Sequence, residues 1–304
     1  MSDITVSIFI LTYNQEQFIE QTIEGVLMQK TNFNYQLIIG EDYSTDDTRT
    51  ICEHYAAEYG KKIKLLPSLH KNIGLIANYM RTIAACDGKY IAICDGDDYW
   101  IDEYKLQKQV DFLETNPDYS IVYTGVRKLF RDGNTFDSVY HLEKKNPDFD
   151  DLIFNNFIHS VTALFKNIQN SGEVPSWFVK FPFGDWQTYL WVIKDGGKIH
   201  FLEDISSVYR MNIGVSAGYM RRNSSFIQVL LKILENIYSD ESFSHRKEIV
   251  AMSIAAKKND LMTSFNREKS YFKAFMQYVS IMKNNKDRHQ LTKLYLYSIY
   301  KSFK

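Results

Sequence analysis

The sequence predicts an α/β protein: a central, mostly parallel mixed sheet within residues 1–220, followed by an all-helical region over 221–304. Three observations carry this prediction. Short runs of β-branched and aromatic residues alternate with segments of helical period, as βαβ units do. The first runs are apolar without alternation, which suits strands covered on both faces. From Arg221 onward the apolar residues recur only at helical spacing.

The elements follow in order. Residues 6–11 (VSIFIL) read as a buried strand, and residues 15–29 as a helix burying Phe18, Ile19, Ile23, Val26 and Leu27. A second strand covers 35–40, and a helix runs from Asp46 through Ile51, Tyr55 and Tyr59. A short strand at 63–66 precedes a helix at 74–86. A strand at 90–94 (YIAIC) precedes a helix at 104–114. Beyond Asn116 the rhythm changes. Strands are predicted at 120–124, 126–130, 160–165, 198–202 and 208–210, with a turn at Asp132-Gly133 and helices at 150–156 and 185–194. Phe226, Leu230, Ile233, Leu234 and Ile237 then form a helical stripe, and helices follow at about 245–258, 267–283 and 288–303. The domain edge is placed near 215–222, beside Gly214 and Gly218.

The chain has 304 residues, 45% hydrophobic and 24% charged, enough for one large domain and an extension. With 14 Gly and 5 Pro it has no low-complexity linker, and its net charge of −1 gives no reason to expect nucleic acid. Cys52, Cys86 and Cys94 form no motif and read as buried free thiols. The first residues lack a basic stretch, and the apolar run 4–11 is far too short to span a membrane, so the sequence reads as cytoplasmic.

Ligands of open parallel sheets bind beyond the carboxyl ends of the strands. Polar residues gather at those ends: 12–16 (TYNQE), 41–48 (EDYSTDDT), 69–72 (LHKN) and 95–98 (DGDD). No P-loop, dinucleotide fingerprint, zinc spacing or nucleophile elbow is present. Asp95-Gly96-Asp97 reads two ways, as an Asp-rich turn capping the next helix or as carboxylates for a ribose hydroxyl and a hard metal, Mg²⁺ or Mn²⁺. The cluster 44–47 reads as a helix cap with its acidic first turn, leaving Asp42 free to accept hydrogen bonds from a base. Asp185 reads as a helix N-cap or as a general base, with Trp186 beside it as an aromatic platform. His159 reads first as a structural histidine, and Arg210 equally as an ion-pair partner or a diphosphate grip.

Together these stretches resemble the family 2 glycosyltransferases, which share the GT-A fold, a Rossmann-like nucleotide-binding fold. The matching segments are 7–29, 41–48, 72–100, 105–118 and 183–210, in order and at strand ends. The resemblance implies nucleotide-sugar contacts for Thr12, Tyr13, Asn14, Glu16, Asp42, Lys71, Asn72, Asn78, Asp95, Gly96 and Arg210. It implies Asp97 on the metal, Asp185 as the catalytic base of an inverting displacement, and Trp186 and His159 on the acceptor side. Two departures stand out. Tyr43 occupies a position where Gly is usual, and Met211-Asn212 replaces a His that some relatives use near the metal. Residues 212–216 are expected to form a lid over the diphosphate. The resemblance further implies a UDP-sugar donor, and a glycan or lipid-linked acceptor in bacterial surface polysaccharide synthesis.

A sugar-phosphate nucleotidylyltransferase would need a Gly-rich, basic loop after the first strand, and residues 12–16 contain neither Gly nor Lys. An inactive binding module would have no use for Asp42, Asp95, Asp97 and Asp185 together.

The net charge hides an asymmetry. Residues 221–304 carry 16 Lys/Arg against 7 Asp/Glu, whereas residues 1–220 carry 20 against 30. In the last helix Leu291, Leu294, Tyr295, Ile299 and Phe303 share a face, with Lys293, Lys301 and Lys304 opposite. That face reads either as packing on its own domain or as a dock for anionic membrane.

Overall fold

The computed structural model describes residues 4–139, 144, 146–211, 213, 223–283 and 287–303. The predicted lid at 212–216 and the domain edge beside Gly214 and Gly218 fall almost wholly outside them. The chain divides into two compact units, one of Met1–Leu152 with Asn156–Ile213, the other of Ile153–Asn155 with Gly214–Lys304.

In the first unit β1 (Val6–Thr12) is buried along its whole length between β2 (Tyr35–Glu41) and β4 (Tyr90–Ile93), both parallel to it. Beyond β2 lies β3 (Ile63–Leu65), also parallel. Helices α1 (Ile19–Leu27), α2 (Thr48–Tyr59) and α3 (Leu75–Ile83) make the crossovers. Ile19, Ile23 and Val26 of α1 join Ile8, Ile10 and Leu37 of the strands in one core. A Cβ on Gly25 would come within 2.9 Å of the Trp100 backbone, so glycine permits this close approach of helix and strand.

The second half of the sheet is more mixed than expected. The strand order is β3-β2-β1-β4-β8-β6-β9-β5, with β7 (Thr135–Ser138) on β6. Only β6 (Tyr119–Leu129) and β9 (Lys198–Arg210) pair in parallel there. The pairs β4/β8 (Leu164–Lys166), β8/β6, β6/β7 and β9/β5 (Tyr99–Trp100) are antiparallel. The strands predicted at 120–124 and 126–130 are one strand, as are those at 198–202 and 208–210. Register shifts around Gly125 absorb the irregularity that resembles a break in the sequence. The strand predicted at 160–165 begins as a single 3₁₀ turn, Ser160–Thr162. Helix α4 (Lys105–Thr115) closes one face, while α5 (Phe149–Leu152) and α6 (Asp185–Val192) are shorter than predicted. All three cysteines are free and buried.

In the second unit α7 (Ser224–Ser239), α8 (Lys247–Arg267), α9 (Tyr271–Met282) and α10 (Arg288–Ser302) pack around Ile227, Leu231, Leu261, Phe265 and Ala274. Asn223 caps α7 through Phe226 N, and Asp287 caps α10 through Gln290 N. No helix among the described residues is long and apolar enough to cross a membrane.

Candidate active site

The chain runs β1-β2-β3 outward on one side of β1 and then places β4 on the other. The loops after β1 and β4 therefore face each other across the point where strand order reverses, where open α/β sheets bind ligands.

The loops after β1 and β2 are fastened to each other. Asn14 N donates to Ser44 Oγ at 3.0 Å, and Asn14 Oδ1 accepts from Thr45 N at 2.8 Å. Gln15 N donates to Thr48 Oγ1 at 2.7 Å. Glu16 N donates to Asp46 Oδ2 at 3.2 Å, and Glu16 Oε2 accepts from Asp47 N at 3.0 Å. Asn14 and Glu16, predicted to contact nucleotide, thus use these groups to hold the neighbouring loop. Asp46 is spent the same way, and α2 starts at Thr48 instead. Asn14 and Tyr43 both have positive φ, 51° and 61°. Tyr13 and Tyr43 remain at the rim, each 45% exposed.

Asp42 is buried and not free. Its Oδ1 accepts from Ile73 N at 2.8 Å and its Oδ2 from Gly74 N at 2.9 Å, while Asn72 Nδ2 donates to Asp42 O at 3.0 Å. The carboxylate pins the segment entering α3, on which Lys71 is exposed. Asn78 is also buried. Its Nδ2 donates to Gly40 O at 2.6 Å, and its Oδ1 accepts from Arg81 Nε at 2.8 Å. Its side-chain amide thus ties β2 to α3.

After β4, Gly96 N donates to Leu11 O at 3.0 Å, and a Cβ there would meet Thr12 Cβ at 2.9 Å. The buried Thr12 Oγ1 and Gln15 Oε1 beside it have no hydrogen-bond partner. Thr22 Oγ1 reaches the carbonyls of Gly96 at 3.1 Å and Asp98 at 2.7 Å. Asp98 is 1% exposed. Its Oδ1 accepts from Arg210 N at 2.8 Å, and its Oδ2 has no partner. The Arg210 guanidinium lies between the rings of Phe18 and Tyr99, 4.7 Å from each. It donates to Asp97 O at 2.5 Å and to Gln21 Oε1. Arg210 therefore clamps the aspartate loop.

Ser160 Oγ donates to Asp95 Oδ2 at 2.7 Å, and Asn156 Nδ2 donates to Asp185 Oδ2 at 2.8 Å. Asp185 opens α6, where the helix dipole favours a carboxylate. The Tyr79 ring lies 2.7 Å from where a Gly184 Cβ would sit, and its hydroxyl bonds Thr188 Oγ1 at 2.9 Å, so α3 sets the position of α6. Trp186 is not an acceptor platform. It is 1% exposed, and its indole N–H donates to Leu152 O at 2.9 Å, because residues 186–192 of α6 are all buried. His159 packs its ring on Tyr209 at 5.3 Å.

Asp95, Asp97 and Asp98 crowd one buried loop, where the Arg210 cation acts on Asp97 and Asp98. Burial and the neighbouring Asp97 push the Asp95 carboxyl up to about 7, with Asp185 adding to the rise against the Ser160 hydrogen bond. Burial raises Asp97, opposed by its own backbone hydrogen bond and by Arg210. Burial, then Asp97 and Asp95, raise Asp98 far above the carboxylate range. No cluster of three or more His, Cys, Asp or Glu suited to a metal occurs among the described residues. One or two carboxylates plus phosphate oxygens suffice for Mg²⁺ or Mn²⁺, however, and a divalent cation would offset the repulsion among these crowded carboxylates. The residues present fit such an ion.

Residues 7–187 match the family described as Glycosyl transferase family 2. The chain belongs to glycosyl transferase family 2. It is 34% identical over 208 residues to an uncharacterized protein of Mycobacterium tuberculosis, covering 67% of this chain and 58% of that protein. The chain thus spans less than two thirds of that relative's length. It is 28% identical over 207 residues to the putative teichuronic acid biosynthesis glycosyltransferase TuaG of Bacillus subtilis, covering 68% of this chain and 79% of that one. Among solved structures it resembles S. aureus TarS 1-349 in complex with UDP-GlcNAc, with a TM-score of 0.60 and 16% identity, over 98% of this chain and 80% of that one. It also resembles the mannosyltransferase PcManGT of Pyrobaculum calidifontis in complex with GDP-Man and Mn²⁺, with a TM-score of 0.58 and 16% identity, over 98% of this chain and 86% of that one. These likenesses establish the GT-A fold of this family 2 member.

Asn156, Ser160, Tyr79 and Arg81 escaped the sequence reading. None belongs to a quoted motif at a strand end except Tyr79 and Arg81, whose helical spacing reads as ordinary packing. Asn156 and Ser160 lie in a stretch whose local pattern suggests only helix and strand.

Proposed function

We propose that this chain is an inverting glycosyltransferase that moves a sugar from a nucleoside-diphosphate donor to an acceptor hydroxyl. The observation that carries the reading is the convergence of Asp185 with Asp95 and Asp97 at the strand-order switch. Asp185 and Asp97 each raise the proton affinity of Asp95. Asp185, at a helix N-terminus, takes the proton from the acceptor hydroxyl as it attacks the anomeric carbon from the face opposite the leaving group. Asp95 turns toward the ribose, and Tyr13, Tyr43 and Lys71 offer rim contacts to the nucleotide. Asp97 holds Mn²⁺ or Mg²⁺, which supplies charge neutralisation for the departing diphosphate when bound. The Mn²⁺ and GDP-Man of PcManGT and the UDP-GlcNAc of TarS support this donor class.

The donor is a UDP-sugar, and the acceptor a bacterial surface or secreted polysaccharide on a lipid carrier, a reading supported by the name of TuaG. The chain works at the cytoplasmic face of the membrane, approached through its basic helical region.

Asp185→Asn is the direct test. Donor binding should persist while transfer falls about 10²-fold or more, the usual worth of a general base. Unchanged transfer would remove Asp185 from the role. Asp97→Ala should abolish metal-dependent nucleotide binding, and its persistence would move the metal elsewhere.

A further inference from the structure

The sequence leaves the α10 face of Leu291, Leu294, Tyr295, Ile299 and Phe303 open between packing on its own domain and docking on a membrane. The structure turns Leu291 and Tyr295 of that stripe inward. Leu291 is buried, and Tyr295 packs on the core of the helical unit. Phe303 of that stripe faces solvent together with Leu296 and Tyr300 on α10, and with Phe272, Phe275 and Met276 on α9. Phe272 is 76% exposed and Phe303 74%.

The two stripes flank one seam. Tyr278 stacks on Tyr295 with centroids 4.6 Å apart and bonds Thr292 Oγ1 at 2.9 Å. Tyr271 stacks on Phe303 at 5.8 Å and bonds Ser302 Oγ at 3.1 Å. These four contacts pair α9 and α10 antiparallel. Ala274 and Leu291 point to the core. Helical spacing then sets Phe272, Phe275 and Met276 within an arc of about 100° on α9, and Leu296, Tyr300 and Phe303 within about 60° on α10, both away from that core.

Basic residues are interleaved with the rings. Residues 271–304 contain seven Lys/Arg and a single acid, Asp287, whose side chain is occupied in capping α10. By the same spacing Lys283 falls in the α9 arc and Lys293 about 20° beyond the edge of the α10 arc, and both are exposed. Lys301 lies 5.7 Å over the Tyr297 ring.

We propose that the outward face of the α9–α10 hairpin docks on an anionic lipid surface, its aromatic rings entering the headgroup boundary and its lysines meeting lipid phosphates. Monomeric proteins rarely leave such a cluster of large apolar side chains in water. Aromatic and aliphatic residues beside lysines, with acids depleted, are the composition of interfacial helices. A second copy of this chain fits the face less well, because isologous pairing would bring like-charged lysines together. A soluble polyanion would satisfy the lysines and leave Phe272 and Phe303 in water. The catalytic benefit rests on the lipid-linked acceptor proposed above; the binding itself does not.

Co-sedimentation of the full chain with vesicles tests this without any sugar substrate. The protein should pellet with vesicles containing about 30% phosphatidylserine and far less with pure phosphatidylcholine, and high salt should weaken the binding. Phe272→Ser with Phe303→Ser, and separately Lys283→Glu with Lys293→Glu, should each lower the bound fraction about tenfold while the circular dichroism melt stays unchanged. Equal binding to both vesicle types, or wild-type binding by both variants, overturns the proposal. So does a dimer that the Phe variant dissolves, which would assign the face to self-association. Retained donor hydrolysis alongside lost vesicle binding separates this proposal from the fate of the catalytic one.

Discussion

Asn156 Nδ2 donates to Asp185 Oδ2 at 2.8 Å, and Asn156 Oδ1 accepts from Ile158 N at 3.1 Å, so a short side chain fixed by its own backbone orients the carboxylate at the head of α6. Asn156→Ala should lower kcat about tenfold or more through misorientation of Asp185, with the donor KM little changed. Asn156→Ser, which can still donate, should recover part of the loss. Steady-state donor hydrolysis and transfer rates check both.

Arg210 fastens β9 to the aspartate loop through Asp97 O and Gln21 while held between Phe18 and Tyr99. Lysine keeps the charge but loses the planar fork and the stacking. Arg210→Lys should cost about 1–3 kcal/mol of stability. The melting temperature should fall by several degrees, and Mn²⁺-dependent nucleotide binding should weaken. Calorimetry and a nucleotide titration measure the two effects.

Tyr43 sits at φ 61°, a region that costs a bulky residue about 1 kcal/mol or more. The turn persists because Asp42 N donates to Thr12 O at 3.0 Å and Ser44 N to Glu41 Oε1 at 2.5 Å. Tyr43→Gly should raise the melting temperature by about 2 °C. Tyr43→Ala, which keeps the strain and loses the ring, should not. Weaker UDP binding by both variants would place the exposed ring on the nucleotide.

Lys105 is buried with its Nζ on Gln109 Oε1 at 2.7 Å and 4.3 Å over the Trp100 ring, and burial pulls its ammonium down to about 7. The unfolded chain holds that proton up to about pH 10.4. Between those values the unfolded state binds more protons than the native one, so this group makes stability rise with pH from about 7 to about 10 and leaves it level below about 7. Lys105→Met should flatten that slope in denaturant titrations across the window. The slope is the readout, because Met also leaves Gln109 Oε1 without its donor.

Much of the catalytic unit was legible because its signals are local. Strands β1, β2 and β4 announce themselves through unbroken apolar runs, as two-sided burial requires. The acidic and polar loops after them follow from where those runs stop. Trp186 was misread because an aromatic residue beside an aspartate looks the same whether its face meets solvent or core. The loop-fastening bonds of Asn14, Glu16 and Asn78 were not legible because a polar side chain at a rim serves a ligand or a neighbouring loop with the same chemistry. The face of α10 was left open between packing and docking for a related reason: with apolar residues around much of the helix, spacing cannot tell which arc has a partner.

The sequence by itself determined the α/β order of elements, the acidic rim of Asp95, Asp97 and Asp185, and the basic character of the last four helices, because each depends on residue type and local period. Only the tertiary structure decided that Arg210 clamps a loop, that Asn156 steers Asp185, and that Phe272 and Phe303 face water. Those facts depend on which distant backbone groups meet each side chain, and folding brings together residues whose separation along the chain carries no trace of the contact.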